Sequence, residues 1–510
     1  MIFDATDMDR SLFDRVFDVC VVGTGPAGMT TALTLARGGF SVALMEGGGA
    51  DLTEESQALY EGEVEGLDNF ELDVSRLRML GGSSNHWNGR CRPFEAMDFF
   101  ERPYSAMSGW PIGKEELDPY AAATDAILDL EAPLPPERPL AAGGGIFREV
   151  FWQRSAPTLF GVKYGDELAA MPGLALCLDA NLVDLRLDPA LGRVTEAVFR
   201  SYAVGDPGFT VRARSYCLCL GGIENARALL NFDGQVPGGI GNGNGLVGRY
   251  FQDHVAVDVA DILFDHPLPE GTRELSYAPT LDYQNGIEGL AMVFNLEFRP
   301  AREISLTHQL IRTAECLTPL TERLIERMRH ETLKCKAGGL TELWVQRDPE
   351  HHPSGIVWAQ TEQPLISDCR VMLNAEIDPL GQRRATLDWR LDDHYYATLR
   401  EATIALGGVL AEEGIARLKI RNWLLEEHPV LPTRAENIGD IGSRHHMGTT
   451  RMATDPERGV VDSDCKVHGI ANLYMGGSSV FPTGGFANPT YTIVQMSLRL
   501  ADHLTRELSA

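Results

Sequence analysis

The sequence predicts an α/β protein in two parts: a nucleotide-binding domain that is interrupted in the chain, and a second domain with a mixed or antiparallel sheet and helices of its own. Three observations predict it. Residues 18–46, DVCVVGTGPAGMTTALTLARGGFSVALME, read as an apolar strand, a Gly-x-Gly-x-x-Gly turn, an apolar-periodic helix, a second strand and a terminal carboxylate. Residues 215–230, SYCLCLGGIENARALL, repeat the order of buried strand, glycine pair and apolar helix. Between about 250 and 430 the pattern changes to alternating strands, and residues 431–510 return to glycine-rich loops and a closing helix.

The first unit is a dinucleotide clamp. Gly23 permits the tight turn out of the strand, Gly25 lets backbone approach a pyrophosphate, and Gly28 lets the helix pack closely on the sheet. The pyrophosphate caps the helix beginning near Pro26, its charge set against unpaired N–H groups and the positive end of the helix dipole. Glu46, at the end of the second strand, is placed to accept from ribose hydroxyls and repels a 2′-phosphate, which favours FAD or NAD over NADP.

Behind it, RLRMLGGSSNHWNGRCRPFEAMDF opens an irregular stretch over 76–120, read as a loop that wraps the cofactor rather than as a linker. A helix begins after Pro119, strands are expected at 174–187 and 193–203, and the glycine-rich residues 237–248 are expected to be a mobile loop. In the second region strands fall at ILFDH, LAMVFNLEF, CRVMLNAEID and ATLDWRL, with one charged helix at 320–335. Pro489, just after Asn488, marks the start of the closing helix. The domain bounds read this way are 1–250 with 431–510, and 251–430.

A length of 510 residues with 44% hydrophobic content suits an enzyme-sized globular chain of two or three domains. The formal charge of −27 repels phosphate backbones and anionic lipid heads, so neither nucleic acid nor a membrane surface is an expected partner. No run approaches the roughly 20 apolar residues needed to span a bilayer. The acidic N-terminal segment has no apolar core of the kind that export signals carry, and a cytoplasmic location is the expectation. The nine cysteines are scattered, Cys217 and Cys219 sharing a buried strand; they read as core thiols, with no Cys/His spacing that suggests a metal.

Residues 441–492 are too rich in His, Gly, Asn and Thr for a core element. The adjacent His445 and His446 precede a Gly-Thr turn, and Asn488 opens the closing helix. Neutral imidazole is the commonest general base near pH 7. An asparagine amide donates to an alcohol oxygen or a developing alkoxide without changing charge.

VVGTGPAG with Glu46, RLRMLGGSSNHWNGRCRP, SGWPI, LGGIENARALL, VGRYFQDH, HHMGTTRM and GVVDSDCKVHGIANLYMGGSSVFPTGGFANPTYT follow one another almost end to end. In these motifs the chain resembles the glucose–methanol–choline (GMC) flavoprotein oxidoreductases. GGSSNHW and FANPTYT are similar to segments of the pyranose oxidases and bacterial glycoside 3-oxidases (C-glycoside oxidases). The resemblance implies a discontinuous, Rossmann-like FAD-binding domain, a substrate-binding domain, and FAD as cofactor. It implies that His445, three residues before Gly448, takes the hydroxyl proton while the carbinol hydrogen leaves as hydride to flavin N5, with Asn488 orienting the alcohol oxygen. His446 is then a packing residue. The loop at 81–89 lies along the flavin, where Gly81 and Gly82 allow close approach and Ser83, Ser84 and Asn85 offer hydrogen bonds to the polar edge of the ring. In pyranose oxidases the histidine matching His86 is bonded to the flavin; here noncovalent FAD is the expectation and a covalent link at His86 the alternative. Asn88 falls where the family approaches N5, the backbone of Val183 meets adenine, and Gly477 and Ser478 pass the pyrimidine side.

The implied reaction oxidises a secondary hydroxyl of a sugar or glycoside, at C2 or C3, to a ketone, with oxygen, a quinone or a redox protein as electron acceptor. Trp344, Gln346 and Arg347 suit a sugar and equally suit a solvated strand edge. The alternatives are oxidation of a non-sugar alcohol (sterol, aliphatic or aromatic) and a redox-silent lyase that keeps FAD. An NAD dehydrogenase leaves the C-terminal segments unexplained, and a scaffold needs neither His445 nor Asn488.

Overall fold

A computed structural model describes residues 1–67, 70–203, 205–266, 272, 274–298, 354–433 and 441–510. Trp344, Gln346, Arg347 and the helix expected at 320–335 lie outside the described residues.

The runs VCVV and VALM are apolar without alternation, which suits strands covered on both faces, and they form the middle of a parallel sheet. Its order is Ile2–Asp4, Leu174–Leu178, Val42–Met45, Val16–Val22, Phe209–Leu218, Val194–Arg200, Asn181–Leu187, the last two strands pairing antiparallel. The helix Pro26–Arg37 packs against the closing helix Thr490–Ser509. Leu473–Met475 joins Phe209–Leu218 in parallel, Leu473 opposite Tyr216, so the C-terminal segment completes the sheet that the N-terminal one begins.

The single stretch expected at 174–187 is two strands in different places in that sheet, broken at Asp179, whose φ of 54° lies in the left-handed region that short polar side chains tolerate. Val194–Arg200 and the strand–helix pair Phe209–Leu218 and Gly221–Asn231 fall where the pattern places them.

The second sheet is antiparallel, in the order Ala416–Ile420, Val255–Phe264, Ser354–Thr361, Met292–Phe298, Glu274–Pro279, Phe147–Glu149, Arg138–Pro139. Two of its strands come from before residue 250. Conversely, Arg370–Ile377 and Arg383–Trp389 form a separate three-stranded sheet with Gly62–Gly66 and pack on Gly221–Asn231. The two parts therefore exchange chain more often than a single interruption implies. The helix Asp393–Glu412, capped by the Asp392 carboxylate accepting from Tyr395 N–H, was masked in the sequence by Gly407 and Gly408; Gly407 packs on Leu418. No described helix is long and apolar enough to cross a membrane. The seven described cysteines are buried and unpaired.

Candidate active site

The site begins at the turn after Val16–Val22. A Cβ on Gly28 would sit 1.9 Å from the Gly23 carbonyl oxygen, and Gly23 itself has a φ of 100° with Cys219 O 2.5 Å from its Cβ position. These two glycines are required by the protein's own packing. Gly25 is different: its φ is −63°, and no protein atom lies within 4 Å of where its Cβ would be. It caps the helix without any side-chain hydrogen bond, leaving first-turn N–H groups to face that space. A diphosphate needs such a cradle, so these residues fit the pyrophosphate of a dinucleotide.

Two other segments converge on the cradle. Gly82 brings its Cβ position to 3.2 Å from Gly25 Cα, and Gly81 N–H donates to Thr24 Oγ1 at 3.0 Å. Gly477, with a φ of 90°, meets only the Ala27 side chain, 3.6 Å from its Cβ position. Ser478 Oγ donates to the His446 carbonyl at 2.7 Å, tying this segment to the paired histidines.

Within the 81–89 loop the expected donors divide. Ser84 Oγ donates to Gly81 O, and Asn85 Nδ2 donates to Leu80 O and Gly82 O, so both amide hydrogens of Asn85 hold the loop itself. Ser83, His86 and Asn88 are exposed; Ser83 Oγ accepts from Leu77 N–H, and Asn88 Oδ1 from Arg90 N–H. Glu46 is buried and already engaged: Oε2 accepts Thr24 N–H at 2.9 Å and Thr24 Oγ1–H at 2.6 Å, and Oε1 accepts Gly48 N–H at 2.9 Å. Val183 lies at a register break between Leu182 and Asp184, and its carbonyl accepts from Gln382 Nε2 at 3.2 Å.

His445 is positioned where residues 252–255 run antiparallel to 442–447. Gln252 and Met447 exchange both backbone hydrogen bonds, and Ser443 N–H donates to His254 O. The buried Asp253 carboxylate accepts His445 N–H at 2.7 Å and Arg444 N–H at 3.1 Å, holding Arg444 at a φ of 62°. Burial pushes Asp253 up to about 7 against the pull of those N–H groups. His254 thereby faces His445, Nδ1 to Nδ1 at 2.9 Å, and its Nε2 lies 3.1 Å from Gly484 O.

Asn488 lies on the neighbouring loop. Its Oδ1 accepts from Gln360 Nε2 at 3.0 Å and its Nδ2 donates to Arg90 O at 3.1 Å. Burial lowers all three imidazoles: His254 to about 4, His446 to about 3 with help from Arg76 and Arg444, and His445 well below its ordinary range with added repulsion from His254, His446, Arg90 and Arg444. His446 is buried beside Phe251, ring centroids 5.7 Å apart, and its carbonyl crosses Gly222.

Residues 366–497 match the family model for GMC oxidoreductase, and residues 18–57 match that for an FAD binding domain. Residues 366–497 are thus a GMC oxidoreductase C-terminal domain. The chain is an FAD-dependent oxidoreductase. Near-full-length relatives include 2-methyl-1,2-propanediol dehydrogenase of Mycolicibacterium austroafricanum, 21% identical over 96% of each chain. Another is 6'''-hydroxyparomomycin C oxidase of Streptomyces lividus, 26% identical over 98% of this chain and 93% of the relative. Among solved structures, pyridoxine 4-oxidase from Mesorbium loti superposes with a TM-score of 0.56 at 16% identity, covering 96% of this chain and 99% of that one, a likeness of fold.

One face of the second sheet presents Gln360 and, beside it in cross-strand register, Trp358, Asn295 and Ser276. Arg90 lies over the Trp152 ring at 3.8 Å and the Trp358 ring at 5.5 Å, and pairs with Glu274 at 2.6 Å. Arg90 Nε and Asn295 Nδ2 are buried donors without a protein acceptor. Sequence reading missed His254, Asp253, Gln360 and this aromatic–amide wall. VGRYFQDH drew attention only as a motif, and SGIVWAQT reads as an ordinary alternating strand.

Proposed function

We propose that this chain is a GMC oxidoreductase that oxidises a secondary hydroxyl of a sugar or glycoside, at C2 or C3, to a ketone, with His445 as general base and Asn488 orienting the alcohol oxygen. The observation that carries the reading is the pair itself: a half-buried imidazole whose charged form its surroundings disfavour, and an amide held in one orientation, on loops joined by the His254–Gly484 contact. FAD, when bound, supplies the two-electron acceptor for the carbinol hydrogen.

The Gly23–Gly28 turn, Gly82 and Gly477 would hold its diphosphate. Glu46 and the Val183 backbone would line the adenosine end, and Ser83, Asn85, His86, Asn88 and Ser478 would lie toward the ring, which is held noncovalently in this reading. Neutral His445 accepts the hydroxyl proton, and the second N–H of Asn488 donates to the oxygen as charge develops on it. Trp152, Trp358, Asn295 and Arg90 supply the stacking face and donors that a polyhydroxylated ring uses. The likeness to a hydroxyparomomycin oxidase supports a carbohydrate-like substrate, and the likeness to a propanediol dehydrogenase supports the second reading, a non-sugar alcohol.

Anaerobic mixing of the yellow protein with free sugars, glycosides, aminoglycosides and simple alcohols, followed at the flavin band, tests both. Bleaching by sugars or glycosides with ketone formed at C2 or C3 is expected. Bleaching by simple alcohols alone favours the second reading, and no bleaching by any alcohol defeats both.

A further inference from the structure

One loop contributes two backbone carbonyls that point at the partners of both catalytic candidates. Gly484 O meets His254 Nε2 at 3.1 Å, and Phe486 O meets Gln360 Nε2 at 2.7 Å. A carbonyl oxygen only accepts, so each contact fixes the donor opposite it. His254 Nε2 therefore carries a hydrogen, and in neutral His254 the remaining nitrogen, Nδ1, is a lone pair. That lone pair lies 2.9 Å from His445 Nδ1, which must supply the hydrogen between them. His445 Nε2 is left as the bare nitrogen.

The same logic runs through the amide. Gln360 Nε2 has two hydrogens; one goes to Phe486 O and the other to Oδ1 of Asn488. With Oδ1 fixed as acceptor, Nδ2 of Asn488 spends one hydrogen on Arg90 O and keeps one. His254 and Gln360 are both buried, which keeps water from substituting for either carbonyl.

We propose that His254 and Gln360 are positioning residues: the 484–486 carbonyls, acting through them, set the proton inventory of the site, one bare nitrogen on His445 beside one free N–H on Asn488. This rests on the reading of His445 and Asn488 given above. It deepens that reading by assigning the Nδ1–H tautomer to His445, with Nε2 as the base, and by giving each catalytic group a named supporter. The burial that holds His254 down to about 4 keeps it neutral across the working range. An uncharged imidazole in the wrong tautomer would present N–H to the substrate hydroxyl and accept nothing.

The test reads the tautomer directly. In holoenzyme labelled with 15N-histidine, at pH 8 and without substrate, the His445 ring, assigned by its loss in His445→Gln, is expected to show a protonated Nδ1 and an unprotonated Nε2. A protonated Nε2 overturns the proposal whatever the substrate proves to be. His254→Phe keeps a ring but no nitrogen; it is expected to give mixed tautomers at His445 and to slow the limiting rate of flavin reduction about 100-fold, with the substrate dissociation constant changed less than about threefold. His254→Gln, which retains one acceptor and one donor, is expected to recover most of that rate. Gln360→Leu should show the same rate-over-binding pattern with the His445 signal unchanged.

An unaltered tautomer and rate in His254→Phe overturn the proposal. If His254→Phe does not fold, the wild-type spectrum still decides. His445→Gln reducing its flavin at the wild-type rate would instead defeat the general-base reading and leave the tautomer measurement standing, so the two failures are distinguishable.

Discussion

Thr24 donates both its backbone N–H and its hydroxyl to one oxygen of Glu46, at 2.9 and 2.6 Å. The other oxygen accepts Gly48 N–H. The carboxylate that sequence reasoning gives to a ribose thus first pins the glycine turn against the end of Val42–Met45, and Thr24 Oγ1 passes the connection on by accepting Gly81 N–H. One acid orders both the cradle and the loop that closes over it.

Glu46→Ala strips the acceptor from three buried donors, each worth about 1–3 kcal/mol when orphaned, less what water recovers. A loss of roughly 2–4 kcal/mol in urea denaturation is expected, together with weaker FAD retention. Glu46→Gln keeps one oxygen for Thr24 but turns an amide hydrogen toward Gly48 N–H, and should fall between. If Glu46→Ala unfolds at the wild-type midpoint and loses only FAD, the acid serves the ligand alone.

Gly25 and Gly28 look interchangeable in the motif and are not interchangeable in the structure. Gly28→Ala would drive a methyl to 1.9 Å from Gly23 O, so the helix must lift off its strand and little folded protein is expected. At Gly25 the φ of −63° suits any residue and the space is open. Gly25→Ala should therefore leave the circular dichroism spectrum and the unfolding midpoint of the FAD-stripped protein within about 0.5 kcal/mol of wild type. Its flavin-to-protein absorbance ratio should fall by at least about tenfold as the methyl meets the diphosphate. A wild-type flavin content in Gly25→Ala would show that no phosphate approaches there.

How far the sequence carried differs by element. The fingerprint and the Phe209–Leu218 strand with its helix were legible because an apolar period and flanking glycines mark them locally, and the closing helix because an apolar period follows Pro489. The exchange of strands was not legible: Gly62–Gly66 pairs with Arg383–Trp389 across more than three hundred residues, and register of that kind leaves no trace in either segment alone. At the site, His445 and Asn488 stood out through motif spacing. His254 did not, because its meaning lies in a contact with a residue 191 positions away. Asn85 looked like a ligand donor and is spent on loop carbonyls, a fate decided by a side-chain direction that composition does not encode.

Because burial and the neighbouring His254, His446, Arg90 and Arg444 all disfavour a charge on His445, its folded-state value lies below the ordinary imidazole range. A base of lowered pKa stays deprotonated as pH falls. Asp253, whose carboxyl accepts His445 N–H, is itself pushed up to about 7 by burial, so it adds little opposing charge below that pH. The limiting rate of flavin reduction with a saturating substrate should accordingly stay level from about pH 8 to about pH 6 and decline only in more acid solution. A profile that falls by half near pH 7 would mean that His445 is not the group whose deprotonation controls the step.

The loop that carries Gly484 is anchored by one guanidinium between two buried carboxylates. Arg102 Nη2 lies 3.3 Å from Asp98 Oδ1 and 3.4 Å from Glu362 Oε2, while Glu362 Oε1 accepts Gly485 N–H at 3.2 Å. Burial pushes Asp98 up to about 7, and Arg102 is the nearest charge opposing that rise. Arg102→Met leaves the two carboxylates facing each other without a cation, a change that costs about 3–5 kcal/mol when the charges cannot be neutralised. The sign of the pH dependence follows. A carboxyl whose folded-state pKa is raised contributes its full stability below the unfolded value and loses it as pH rises through the folded one, and the substitution raises that folded value further. The stability deficit of Arg102→Met, from urea midpoints against wild type, should thus be smaller at pH 5, where Asp98 is protonated with or without Arg102, and about 1 kcal/mol larger at pH 8. Equal deficits at the two pH values would show that the loss is one of packing rather than of charge, and that the loop beneath His254 is not held electrostatically.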